Sequence, residues 1–337
     1  MTAFFATENI DDRLAQAGFE SFRVKQVLDW AYRKPIFDWK EASNLPQNLK
    51  TWLEEHLPLF SMRCEVVSAT GKFSEKALFR LADGGAIETV LLKTHKRHTV
   101  CVSSQLGCAY GCKFCASGLH GFKRNLEAHE IVEQVLFFSK KLYPKKVDNV
   151  VYMGMGEPLA NYDNVIQSIR KLTDSKLFAF SPRRITLSTS GIAPAIKKLA
   201  DEDLPIRLAI SLHAPNDTIR SQIMPVNQKY PLATLLEAAN YFQSKGRRIT
   251  LEYILIDSLN DTPILATELA ILAKKLSAHV NLIPYNPVKD LPWKRPSLQK
   301  QRAFLAILES AVPTSLRIEK GTSIDAACGQ LALKQKD

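Results

Sequence analysis

Three cysteines, Cys108, Cys112 and Cys115, fall within eight residues in the spacing C-x3-C-x2-C. Three thiolates can ligate three corners of a cubane iron–sulfur cluster, and no fourth cysteine stands at ligand spacing beside them. One iron is then left open. An open iron can take the amino and carboxylate groups of S-adenosylmethionine (SAM) and pass an electron to its sulfonium, which breaks to give a 5′-deoxyadenosyl radical. The competing assignment is structural zinc, but such sites take four ligands, commonly as two C-x2-C or Cys/His pairs. His120 is the available fourth ligand for zinc; the tight triple spacing and the aromatic Phe114 before the last cysteine favour the cluster.

A cluster loop needs a frame, and the flanking pattern supplies one. From 62 to 103 the chain reads as strands (65–67, 76–81, 87–92 and 99–102), with Asp83-Gly84-Gly85 as a hairpin turn. After the loop, strands at 147–152, 184–188, 206–212, 249–255 and 280–283 alternate with helices at 162–172, 192–200, 232–243 and 264–276. With the strand before the loop this makes about six βα units, short of the eight that close a barrel. The expected fold class is therefore α/β, an incomplete (β/α)6 barrel whose open side admits a bulky substrate. Polar residues cluster where such strands end: Met153-Gly154-Met155-Gly156-Glu157-Pro158, Ser188-Thr189-Ser190-Gly191, Ser211-Leu212-His213 and Asn286. Barrel enzymes build their sites at these C-terminal ends. Taken singly, each has a plainer explanation, a structural glycine turn for GxGE or a core histidine for His213.

Ahead of the barrel, residues 8–33 read as one helix up to Pro35, and a second helical stretch runs from Trp39 to Leu57. The aromatic stripe there suits the module's own core. The expected layout is a helical accessory module at 1–60, a hairpin linker at 61–95, the barrel at 96–315 and a tail at 316–337.

The 337 residues are 46% hydrophobic and 23% charged, an ordinary globular composition with a net charge of +11. The first 60 residues are slightly acidic, so the basic excess belongs to the larger domain. It is scattered in short runs, Lys140-Lys141, Lys145-Lys146, Arg183-Arg184, Lys245-Gly246-Arg247-Arg248 and Lys294-Arg295. Each alone reads as a solvated face; their sum argues for RNA. No apolar stretch is long enough to span a membrane, the N-terminal residues lack a signal-peptide pattern, and the cysteines form no disulfide framework, so a cytoplasmic protein is expected.

Together the motifs resemble the radical SAM RNA adenine methyltransferases of the RlmN/Cfr type across almost the whole chain. The carriers are Cys101-Val102-Ser103-Ser104-Gln105, the cluster loop, Gly121-Phe122-Lys123-Arg124-Asn125-Leu126, Gly154-Met155-Gly156-Glu157-Pro158-Leu159, Ser188-Thr189-Ser190-Gly191, Ser211-Leu212-His213-Ala214-Pro215-Asn216 and the tail Ile324-Asp325-Ala326-Ala327-Cys328-Gly329-Gln330-Leu331.

The resemblance implies a [4Fe-4S] cluster on Cys108, Cys112 and Cys115, two SAM molecules per turnover, and SAM contacts from Gly156, Glu157, Ser188, Ser211, Leu212, His213 and Asn286, with Phe114 packed near the cofactor. It implies that Cys328 takes a methyl group from one SAM and that the radical from a second abstracts a hydrogen from that methyl. The thiomethylene radical then adds to an electron-poor adenine carbon. Glu88 matches the family's proton acceptor, and Cys101 the thiol that closes a disulfide with Cys328 and frees the product. Without the family pattern, Glu88 would read as a solvent-facing strand residue and Cys101 as a core cysteine; Cys64 matches no motif.

The wider match favours C2 of an adenine in 23S ribosomal RNA, with transfer RNA as a second substrate. An electron donor such as flavodoxin and a monomeric state are expected with it. The competing functions are C8 methylation in the Cfr branch, a radical SAM activase of a protein partner, and a non-catalytic RNA-binding protein with a structural metal.

Overall fold

The computed structural model describes residues 3–7, 9–70, 73–119, 121–288, 291–317 and 329–331. Its strands are β1 (Arg63–Thr70), β2 (Ser74–Arg80), β3 (Ala86–Lys93), β4 (His98–Cys101), β5 (Gln105–Gly107), β6 (Phe122–Asn125), β7 (Asn149–Tyr152), β8 (Ile185–Thr189), β9 (Arg207–Ser211), β10 (Ile249–Leu255), β11 (His279–Pro284) and β12 (Thr314–Leu316). One sheet takes ten of them in the order β1-β2-β3-β4-β7-β8-β9-β10-β11-β12. From β4 onward the pairs are parallel and the order never reverses, as in a barrel and unlike a doubly wound sheet. Its edges, β1 and β12, do not pair with each other, so the barrel is open. The six expected core strands are present, joined by the three-residue β12. β1, β2 and β3 extend the same sheet antiparallel from β4.

Helices cover the outer face. Tyr152 sends its hydroxyl to Ser168 on the helix Tyr162–Thr173, and Thr89 hydrogen-bonds Gln134 on the helix Ala128–Leu142. Side chains alternate along a strand, so Val151 and Glu88 point the other way, into the barrel. Cys101 is in register with Val151 on one side and Val90 on the other, which puts it on that inner face too, diagonal to Glu88.

The helix Ala128–Leu142 is absent from the sequence reading because three of its buried residues, Glu130, Glu133 and Gln134, are polar and disguise the apolar face. Each has partners: Arg124 pairs with Glu130 through two nitrogens at 2.7 and 2.8 Å, the Ser61 and Met62 amides donate to Glu133, and Gln134 bonds Thr89 and Ser103.

The expected N-terminal helix divides. Ile10–Gln16 stops before Gly18, whose φ of +80° suits glycine, and Phe22–Leu28 runs into a wider turn at Asp29–Arg33. Gln47–His56 is the third helix of the module. As expected, its aromatic residues form its core: the Phe4 ring meets Trp39 edge-on at 5.1 Å, and buried Trp39 donates to the Leu57 carbonyl. Phe5 and Tyr32 extend this core toward Phe178, while Lys171 and Arg33 hydrogen-bond carbonyls across the joint with the barrel helices.

Candidate active site at the strand C-termini

The cluster loop leaves the sheet through a two-stranded clamp not expected from sequence, β5 paired with β6. Gly107 fits this clamp because it has no side chain: its φ is +78°, and a Cβ would lie 1.8 Å from the Gly121 carbonyl oxygen. The Cys108 amide donates to that same oxygen at 3.0 Å. Further along, the Lys113 carbonyl accepts from the Trp293 indole and its amide donates to Ile223, so the loop is tied at both ends and in the middle.

Cys108, Cys112 and Cys115 line one cavity together with Gly156, Glu157, Ser188, Ser211 and His213. Strands β7, β8, β9, β10 and β11 all deliver residues to its wall, which only a curved sheet can do. No three His, Cys, Asp or Glu side chains converge on a single ion among the described residues. Three cysteines at C-x3-C-x2-C spacing on one cavity wall are a donor set that fits three corners of a cubane. His120 lies outside the described residues. Burial pushes the Cys108 thiol up to about 12 and holds Cys112 well above the usual thiol value, so ligation as thiolates releases protons.

Gly156, at φ +99°, brings the backbone against Gln105, where a Cβ would sit 2.5 Å from the Gln105 Cβ. Gln105 in turn accepts from the Glu157 amide at 2.8 Å, locking the loop after β7 to the clamp. The buried Glu157 carboxylate accepts from the Leu159 amide at 3.0 Å and from the Ser190 amide at 2.6 Å, which joins the end of β7 to the end of β8. Burial raises its pKa, and those donors oppose the rise. The Ser190 hydroxyl is buried in the cavity wall beside the Glu157 carboxylate, where a ligand can meet it.

His213 serves as both core residue and wall residue. Its φ is +57°, its Nδ1 accepts from the Ile254 amide at 3.0 Å, and Phe114 packs edge-on against its ring at 4.7 Å. Burial and the nearby Arg220 lower its pKa to about 3, so it is a neutral imidazole with the proton on Nε2. Leu212 beside it does not reach the cavity; its side chain joins the hydrophobic core. Asn286 is buried outside the cavity wall, accepting from Arg295 at 3.0 Å. Glu88 and Cys101 share the inner face but lie off the cavity wall, and Glu88 holds Lys76 at 2.7 Å. Cys328 lies outside the described residues. Its bonded neighbour Gly329 lines the cavity and accepts from the Ala116 amide at 2.8 Å, next to Cys115.

Two residues escaped the sequence reading. Glu252, a lone acid within the apolar run of β10, lines the cavity and accepts from Asn281 at 2.9 Å; its isolation in that run was the signal. Arg220 gives no such signal. It is fully buried and spans the strand ends, with Nε on the Leu212 carbonyl at 3.1 Å and Nη2 on the Ser190 and Ser211 carbonyls at 2.6 and 3.3 Å; Nη1 meets Asn227 at 2.7 Å.

Comparison with known proteins agrees with this geometry. The profile of the radical SAM superfamily matches residues 102–269, and that of the ribosomal RNA large subunit methyltransferase N-terminal domain matches residues 4–59. The probable dual-specificity RNA methyltransferase RlmN 3 of Opitutus terrae is 47% identical, over 97% of this chain and 92% of that one. Its counterpart from Dictyoglomus thermophilum is 48% identical, over 97% and 95%. Among solved structures, a radical SAM methyltransferase from Sphaerobacter thermophilus superposes with a TM-score of 0.94 at 42% identity, covering 98% of this chain and 99% of that one. The chain thus belongs to the radical SAM superfamily and, within it, to the RlmN family of RNA methyltransferases.

Proposed function

We propose that this protein methylates C2 of an adenine in 23S ribosomal RNA, and of transfer RNA as a second substrate, through a methylated Cys328. The observation that carries the reading is that Gly329, bonded to Cys328, forms part of the wall that also holds the three cluster cysteines. An activase has no use for a cysteine there. Cys108, Cys112 and Cys115 would hold the cluster, which when bound would supply the electron for reductive cleavage of SAM.

The chain's own residues do the rest. Gly156, Glu157, Ser188, Ser211 and His213 bind and orient SAM, the Nε2 hydrogen of His213 being its only ring donor. Leu212 and Asn286 do not line the cavity and act on SAM through their neighbours. The Cys328 thiolate takes the first methyl group, and its thioether carbon, once relieved of a hydrogen, bonds the adenine carbon. Glu88, on the inner face, removes the proton from that carbon. After the adduct radical has given up one electron, which the oxidised cluster would take back, the Cys101 thiolate attacks the Cys328 sulfur; the sulfur–carbon bond breaks, a disulfide forms, and the released methylene carbon takes up a proton to become the methyl group of the base. Residues 1–60 serve as an accessory RNA-contacting module, 61–95 as a linker, 96–315 as the barrel and 316–337 as the methyl-carrying tail. The protein works as a cytoplasmic monomer fed by a donor such as flavodoxin. No helix among the described residues is long and apolar enough to cross a membrane.

The test is mass spectrometry of nucleosides from ribosomal RNA of a strain lacking the gene, with and without re-expression. We expect 2-methyladenosine to return with the intact gene and not with Cys328→Ala. Restored 8-methyladenosine would overturn the C2 assignment, and no change in either nucleoside would overturn the RNA target.

A further inference from the structure

Most of the cationic runs in the sequence are occupied within the fold. Lys140 and Lys141 pair with Glu41 and Glu75, Lys245 pairs with Asp201 at 2.9 Å, and Arg295 holds the Tyr285 carbonyl. Lys145-Lys146 and Arg183-Arg184 differ. Lys145, Lys146 and Arg183 make no ion pair among the described residues, and Arg184 has only a 3.4 Å contact to Asp148. Far apart in sequence, these two runs meet at one cleft of about 520 Å³, between the N-terminal module and the segments that lead into β7 and β8. Its wall includes the rings of Tyr143, Phe178 and Phe180 beside Lys145, Lys146 and Arg184, and among the described residues no carboxylate lines it. Tyr143 is 58% exposed.

We propose that this cleft is a second RNA-binding site, which takes an unpaired nucleotide of the substrate RNA other than the target adenine. Unpaired bases stack on aromatic rings while lysine and arginine hold the adjoining phosphates. That pairing of chemistries is what the wall offers, and a fully paired helix would leave the rings unused. The cleft lies at the N-terminal ends of strands whose C-terminal ends build the active site. The four residues of β7 alone span roughly 13 Å. A nucleotide here and a base in the active site therefore belong to separate parts of one folded RNA. The proposal rests on the reading that the substrate is RNA.

The experiment measures binding of an unmodified 23S ribosomal RNA transcript to the full-length protein as a function of salt. Three variants are compared with wild type: Lys145→Glu/Lys146→Glu, Tyr143→Ala, and Lys274→Glu/Lys275→Glu as a charge-matched control at the end of the helix Pro263–Lys275. We expect the first to weaken binding at least tenfold and to flatten the log–log salt dependence by about two contacts. Tyr143→Ala should weaken binding about fivefold or more with the salt dependence unchanged. Reductive SAM cleavage without RNA should stay at the wild-type rate in every variant. Equal weakening by the control pair would overturn the proposal in favour of bulk charge. Unchanged RNA binding with slower reduction by an acidic electron donor would overturn it in favour of a protein-docking surface. A wild type that methylates the transcript while all variants bind it normally overturns the cleft alone; a wild type that binds no RNA overturns the function with it.

Discussion

At the C-terminal ends of β7, β8 and β9 nearly every polar group is committed: Glu157 to two amides, Arg220 to three carbonyls, His213 to the Ile254 amide. At the N-terminal ends of β7 and β8, Lys145, Lys146 and Tyr143 stand in water. The same strands thus carry two surfaces of opposite character. Radical chemistry needs reacting atoms held in one geometry, and buried, satisfied hydrogen bonds provide that rigidity. Gripping a polyanion needs charge that can be desolvated cheaply and in several registers, which exposed lysines provide.

Substitutions at the committed end should cost most. Cys112→Ala should abolish cluster assembly and methylation together, read as loss of the visible charge-transfer band and of bound iron, while far-UV circular dichroism stays native. Next in size, Arg220→Met takes the guanidinium from three strand-end carbonyls, of which Leu212 keeps the Ala214 amide, and should lower stability by about 3 kcal/mol in a denaturant titration. It should also raise the KM for SAM, since the Ser190 and Ser211 backbones lose their tie. A variant as stable as wild type would show that the strand ends hold their shape unaided.

A smaller effect follows from His213. Its folded pKa, about 3, lies below its unfolded value of 6.5, so the unfolded chain takes up the proton first. The stability it contributes is complete above about pH 6.5 and is lost progressively as pH falls toward 3. At pH 5 the loss is about 2 kcal/mol, and His213→Gln should remove that part of the pH dependence. Smallest of all, Cys64→Ser, on β1 and away from both ends, should shift stability by less than about 1 kcal/mol and leave methylation intact.

What the sequence made legible was the chemistry that admits few residue types. Three thiolates at fixed spacing, glycines where backbone closes on backbone, and polar clusters after apolar runs all survive translation into structure. The βα alternation survived too, because each covering helix keeps an apolar face. Illegible parts share another cause: polar residues doing buried work. Glu130, Glu133 and Gln134 hid a helix, and Arg220 looked like any surface arginine. Leu212 and Asn286 show the converse. Leu212 stands between the wall residues Ser211 and His213, and Asn286 three residues after the wall residue Ile283, but alternation turns the first side chain into the core and the Arg295 contact holds the second outside the cavity.

The docking of residues 329–331 has a consequence in time. The Ser117 hydroxyl bonds the Leu331 carbonyl at 2.8 Å across a sequence separation of 214, and Gly329 closes the wall beside it. At ribosomal rates of about 5–20 residues per second, the cluster loop is made roughly 10–40 s before the segment that covers it. Through that interval the three cysteines face solvent with their wall incomplete, and whatever delivers iron and sulfide meets a half-built vessel rather than a finished one.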